Sequence, residues 1–141
     1  MKLKMLAAAA ALMIMPGVAL ADGDVKKGMK VFKKCKACHT VDKGGKKKVG
    51  PNLFGIVGKK AGSFEDFKYS KLMKGASEAG LIWDAAVLDK YLDKKGMNKT
   101  LKGVIEAAGK KPKGRSKMAF AGLKKQKDRD NVIAYLMTLK D

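Results

Sequence analysis

Apolar residues recur along this chain at spacings of three and four far more often than at two. From Asp24, an N-cap candidate, Val25, Met29 and Phe32 fall at i, i+4 and i+7, which predicts an amphipathic helix rich in lysine. Gly28 on the same face costs about 1 kcal/mol against alanine, a cost that makes sense where another helix crosses close to the backbone. Asp128 or Asp130 is expected to open a second such helix, with Val132, Tyr135, Leu136 and Leu139 on one face. Two amphipathic terminal helices imply a domain whose ends meet. Between them the pattern predicts a short helix over 69–75, a longer one over 84–94 with Val87, Leu88, Tyr91 and Leu92 inward, and a third over 99–108 ended by Gly109. Strand-like alternation is scarce, so the expected class is all-α. Residues 42–62 and 110–122, dense in glycine, lysine and proline, read as long loops, which in a small domain tend to carry function.

The first residues stand apart from this pattern. Lys2 and Lys4 precede an apolar run over 6–15, Pro16-Gly17 break it, and Ala19-Leu20-Ala21 has the small-x-small form of a signal-peptidase site. Residues 1–21 are expected to be a signal peptide and 22–141 the mature domain, located in the periplasm. The competing reading, an uncleaved anchor, is weakened because the run falls short of the ~20 apolar residues a spanning helix needs. The segment holds two lysines and no acid, so its removal takes the formal net charge from +19 to +17. So large a charge calls for an anionic partner. Nucleic acid is disfavoured by export and by the lack of any stretch interleaving basic with aromatic residues. An anionic membrane surface and an acidic protein patch stay open, and a solvated lysine-rich surface accounts for many of these residues whatever the function; no stable membrane insertion and a monomer are expected. Aromatics make up only 6% of the residues, so a large buried cofactor would help such a core to form.

Cys35-Lys36-Ala37-Cys38-His39 contains the only two cysteines and the only histidine. A disulfide across so short a loop stabilises little. Thiol–disulfide exchange sites normally accompany a βαβ pattern, which is not visible here. A structural zinc site needs four ligands, and there is no second Cys/His pair. Covalent attachment of one haem c uses all three residues: the thiols add to the vinyl groups and the imidazole ligates the iron. With no second histidine, the sixth iron position falls to a methionine, a pairing that raises the reduction potential. Met29 and Met137 lie within the terminal helices, where core filling is the simpler role, and Met73 lies in a short helix. Met118, on the irregular segment 114–120, is the leading candidate and Met97 its main rival.

Together with Cys35–His39, the stretch Val41-Asp42-Lys43-Gly44-Gly45-Lys46-Lys47-Lys48-Val49-Gly50-Pro51-Asn52-Leu53-Phe54-Gly55 resembles the class I cytochromes c, in particular the bacterial c2 type. Leu81-Ile82-Trp83, residues 117–125 and Val132-Ile133-Ala134-Tyr135-Leu136 extend the similarity over nearly all of 23–140. The resemblance implies an electron carrier rather than an enzyme. It implies Met118 as the distal ligand, Pro51 as acceptor of the proton on the other nitrogen of His39, and Tyr69 and Trp83 as hydrogen-bond donors to a haem propionate. Gly28, Phe32 and Tyr135 match the crossing of the terminal helices. Lys34, Lys48, Lys117, Lys124 and Lys125 correspond to a ring of lysines that docks acidic surfaces of redox proteins such as a bc1-type complex, a terminal oxidase or a photosynthetic reaction centre. Two features depart from the pattern. Lys59 stands where the family usually has an arginine, and residues 93–112 are longer than in the shortest members, which leaves the distal lining unassigned.

Overall fold

The computed structural model describes residues 23–141; the signal segment expected over residues 1–21 lies outside them. Five helices follow in order: α1 (Val25–Phe32), α2 (Lys71–Glu78), α3 (Ala85–Leu92), α4 (Gly96–Ala107) and α5 (Gln126–Met137). Extended structure among the described residues is confined to one isolated antiparallel bridge between Lys60 and Ile82. The fold is therefore all-α, with long loops over 39–70 and 108–125. No described helix is long and apolar enough to cross a membrane.

Three helices start on side-chain caps that the local sequence supplies. The carboxylate of Asp24 accepts from Lys27 N–H, the Ser70 hydroxyl from Met73 N–H, and the carboxylate of Asp84 from Val87 N–H, each satisfying one of the donors a helix start leaves open. The expected 69–75 helix thus begins two residues later, after Ser70, and runs on to Glu78. The helix expected over 99–108 begins earlier, at Gly96. Its start is set by tertiary packing, because Lys95 adopts φ 60° and a side chain on Gly96 would strike the carbonyl of Lys90. Neither Asp128 nor Asp130 opens α5, which begins at Gln126 and places Asp128 in its first turn.

α1 and α5 cross at Gly28. A Cβ there would run into the backbone of Asn131 and the Cβ of Tyr135, and Gly23 meets Asp130 in the same way. The Asn131 side chain accepts from Asp24 N–H at 2.8 Å, and Phe32 packs on Tyr135 with ring centroids 5.3 Å apart. The apolar stripe read from the sequence is only half used. Gly28 and Phe32 are buried, whereas Val25 and Met29 are exposed, so Met29 does not fill the core. Two crossing helices touch at a point, and residues a quarter turn away from it stay in solvent. Met97, by contrast, is buried in the core beside Leu101 and Ile105 of its own helix.

Gly28→Val is expected to cost about 3 kcal/mol by overpacking in chemical denaturation. Gly103→Ala, where a new Cβ meets nothing within 4 Å, should instead raise stability by up to about 1 kcal/mol.

Candidate functional site

The chain leaves α1 in overlapping turns. Cys35 N–H bonds to Phe32 O at 2.8 Å, and both Cys38 N–H and His39 N–H bond to Cys35 O, at 3.0 and 2.9 Å. This tight coil turns Cys35, Cys38 and His39 toward one cavity of about 420 Å³, whose lining also includes Trp83, Tyr91 and Met118. A volume of that size belongs to the range of small-molecule and cofactor sites, ~300–1,000 Å³.

His39 is buried, and its Nδ1 lies 2.7 Å from the carbonyl oxygen of Pro51. A carbonyl only accepts, so the proton sits on Nδ1 and the lone pair on Nε2. Burial lowers the imidazole pKa, with the bond to Pro51 opposing, and the neutral ring is the form that binds metal. Gly50 completes the cradle, since a Cβ there would lie 2.5 Å from His39 Cε1. The Cys35 thiol is pushed up to about 11, first by burial and then by its neighbour Cys38. A thiol held protonated at neutral pH is a poor nucleophile for disulfide exchange.

Met118 is half-buried and lines the same cavity. The Tyr91 hydroxyl donates toward its Sδ at 3.5 Å, which engages one sulfur lone pair and leaves the other free. Tyr91 is itself buried, and its ring meets Trp83 edge-on with centroids 4.7 Å apart. Burial raises its pKa, keeping the donor proton in place. The sequence pattern marked Tyr91 only as an inward residue of its helix; its register one turn after Val87 and Leu88 gave no sign of this contact. Pro51, Tyr69 and Trp83 all line the cavity. The Tyr69 oxygen accepts from Phe64 N–H at 3.3 Å, which leaves its own proton to donate. Met73 lines the cavity as well, whereas Met97 does not.

The lysines divide. Lys34 and Lys117 line the cavity, together with exposed Val49. Lys48, Lys124 and Lys125 are exposed but lie outside the lining. Lys59 holds its ammonium 4.3 Å above the Phe64 ring, and neither residue lines the cavity.

Arg129 is a residue that the sequence reading passed over. Its buried guanidinium bonds to Asp89 at 2.7 Å, Asp93 at 2.9 Å, the carbonyl of Leu123 at 2.7 Å and the Gln126 side chain at 2.7 Å. These bonds raise its pKa, that to Asp89 most of all. The clamp ties α3, α5 and the end of the Met118 segment together. In the sequence Arg129 looks like one more basic residue on a polar stretch, because its carboxylate partners Asp89 and Asp93 lie 40 and 36 positions away. Arg129→Leu is expected to lower stability by about 3 kcal/mol, since it strands two carboxylates and a backbone carbonyl. Lys124→Ala on the exposed neighbour should change it by less than about 0.5 kcal/mol in the same denaturation assay.

Two thiols and a neutral imidazole beside an apolar cavity suit a covalently held haem, and Met118 brings a thioether to the same cavity. Comparison with known proteins agrees. The family model for cytochrome c matches residues 25–140. Cytochrome c2 of Rhodospirillum rubrum is 46% identical over 132 residues, covering 93% of this chain and 92% of the relative. Cytochrome c2 of Agrobacterium tumefaciens is 42% identical over 116 residues, covering 82% and 92%. Among solved structures, cytochrome c2 from Rhodospirillum centenum superposes with a TM-score of 0.79 at 39% identity, covering 84% of this chain and all of that one. Ferricytochrome c2 from Rhodopseudomonas palustris gives 0.75 at 43% identity, covering 83% and 99%.

Proposed function

This chain belongs to the cytochrome c family, carries one covalent haem c and acts as an electron carrier rather than an enzyme; from that premise we propose that it is a periplasmic shuttle whose iron is held between His39 and Met118. The observation that carries the proposal is the cavity itself, which His39 and Met118 both line, each with its remaining polar valence already taken by the protein. When bound, the haem supplies a one-electron iron couple.

The residues keep that couple simple. Cys35 and Cys38 supply the thioether links. The Pro51 carbonyl holds the His39 ring in one tautomer and orientation, a support of the kind that raises ligand basicity. The Tyr91 hydroxyl draws electron density from the Met118 sulfur, and Met118 is the softer and weaker donor of the pair, which favours the reduced state. Tyr69 and Trp83 supply N–H and O–H donors for a carboxylate of the cofactor. With ligands held on both sides, little has to move when charge changes by one unit. Met97, buried in the core, is set aside as a ligand.

Export through residues 1–21 accounts for the periplasmic placement. Lys34 and Lys117, which line the cavity, together with the exposed Lys48, Lys124 and Lys125, dock an acidic patch of a membrane-bound or periplasmic redox complex; a bc1-type complex, a terminal oxidase and a photosynthetic reaction centre are the partner types. Charges of this kind act mainly on encounter.

Two outcomes test the reading. In the purified ferric protein, Met118→Ala is expected to abolish the weak far-red absorption that marks sulfur bound to iron, while Met97→Ala retains it. Survival of that band in Met118→Ala removes the ligand assignment. The second-order rate of electron exchange with an acidic redox partner should fall as ionic strength rises past about 0.1 M, where the screening length drops to ~10 Å; a flat profile removes the docking surface.

A further inference from the structure

Between residues 111 and 122 no backbone N–H or carbonyl takes part in a backbone–backbone hydrogen bond. The segment that presents Met118 therefore has no secondary structure of its own to hold it. It is placed by side chains, and two bonds do this next to the sulfur. The Asn98 side-chain oxygen accepts from Ser116 N–H at 2.8 Å, and the Ser116 hydroxyl accepts from Met118 N–H at 3.1 Å. The Ser116 side chain also faces the Tyr91 hydroxyl, the group that contacts Met118 Sδ.

Asn98 is in turn fixed from the core side. It lies in the first turn of α4, two residues after Gly96, whose backbone is pressed against Lys90, and next to Met97, which is buried. The left-handed Lys95 allows the chain to reverse sharply from α3 into α4. The long 93–112 stretch thus builds a helix that carries one acceptor to one backbone donor, two residues from the sulfur.

Building on the ligand reading above, we propose that Asn98 is a positioning residue for Met118: α4 braces the distal segment through the Asn98–Ser116 bond and so sets how readily the sulfur leaves the iron. Net hydrogen-bond worth of the usual size corresponds to a change of about three- to tenfold in such an opening equilibrium.

The test uses the full haem-loaded ferric protein and added imidazole, which binds the iron only when the sulfur leaves. Asn98→Ala is expected to bind imidazole about three- to tenfold more tightly than wild type, and its Ser116 amide to exchange with solvent faster. Asn98→Asp, which keeps the accepting oxygen, should restore both toward wild type. Ile105→Val serves as control, because it loosens the same helix inside the core without touching Ser116. If Asn98→Ala binds imidazole as wild type does, or if Ile105→Val at matched stability shifts binding equally, the brace is overturned. Met118→Ala in the same series separates the two ideas. Retention of the far-red band there defeats the ligand reading and the brace with it, whereas its loss beside an unaltered Asn98→Ala defeats the brace alone.

Discussion

The backbone contact between α1 and α5 at Gly28 is the constraint from which the rest of the structure follows. It draws residue 28 against residue 131, and a side chain at position 28 would part the two helices. The turn bearing Cys35, Cys38 and His39 leaves the C-terminal end of α1, and the segment bearing Met118 enters the N-terminal side of α5. Pinning these helices therefore brings both donor groups to one cavity. The pin is reinforced beyond the helices themselves, since Gly55 N–H bonds to Leu139 O and joins the loop after Pro51 to the end of the chain.

The two walls of the cavity are held in different ways. On the His39 side the support is local. The cysteine turn bonds to itself, Gly50 N–H bonds to Cys38 O at 2.8 Å, and the Pro51 carbonyl is only 12 residues from the imidazole it holds. On the Met118 side most of the support comes from farther along the chain: the Leu123–Leu92 backbone bond at the end of the segment, Asn98 in its middle, and Tyr91 at the sulfur. A wall assembled from distant parts opens more easily than one built from a continuous turn. That asymmetry suits the proposed ligand pair, in which the imidazole is the firmer donor and the thioether the weaker one.

Charge acts at two ranges. The buried Arg129 bonds directly to the partly exposed Asp89 and Asp93 and serves the architecture. The many exposed lysines act through solvent over about 10 Å at 0.1 M salt, so they matter to the proposed encounter with a partner more than to the fold. Two of them also hold loops: Lys48 donates to Lys36 O and Lys117 to Lys68 O, which couples the surface near the mouth to the segments behind it.

The sequence by itself determined what depends on neighbours along the chain. The 3.6-residue period marked the helices, and Asp24 and Asp84 named two of their starts. The Cys35–His39 spacing specified the cofactor, because attachment chemistry is confined to five consecutive residues. Gly28 was legible as a close crossing because it lies on the apolar face of its helix; Gly103, also inside a helix, meets nothing. Tertiary structure decided whatever depends on partners far apart in the chain. Val25 and Met29 matched the helical period yet face solvent, because a crossing buries only the residues around its contact point. Met118 led Met97 as the candidate sulfur because it lies on an irregular segment, and packing puts Met97 in the core while Met118 lines the cavity. Arg129 and Asn98 carry no local mark at all. Their role exists only where α3, α4, α5 and an unstructured segment converge, and hydrogen bonds across such separations leave no period in the sequence.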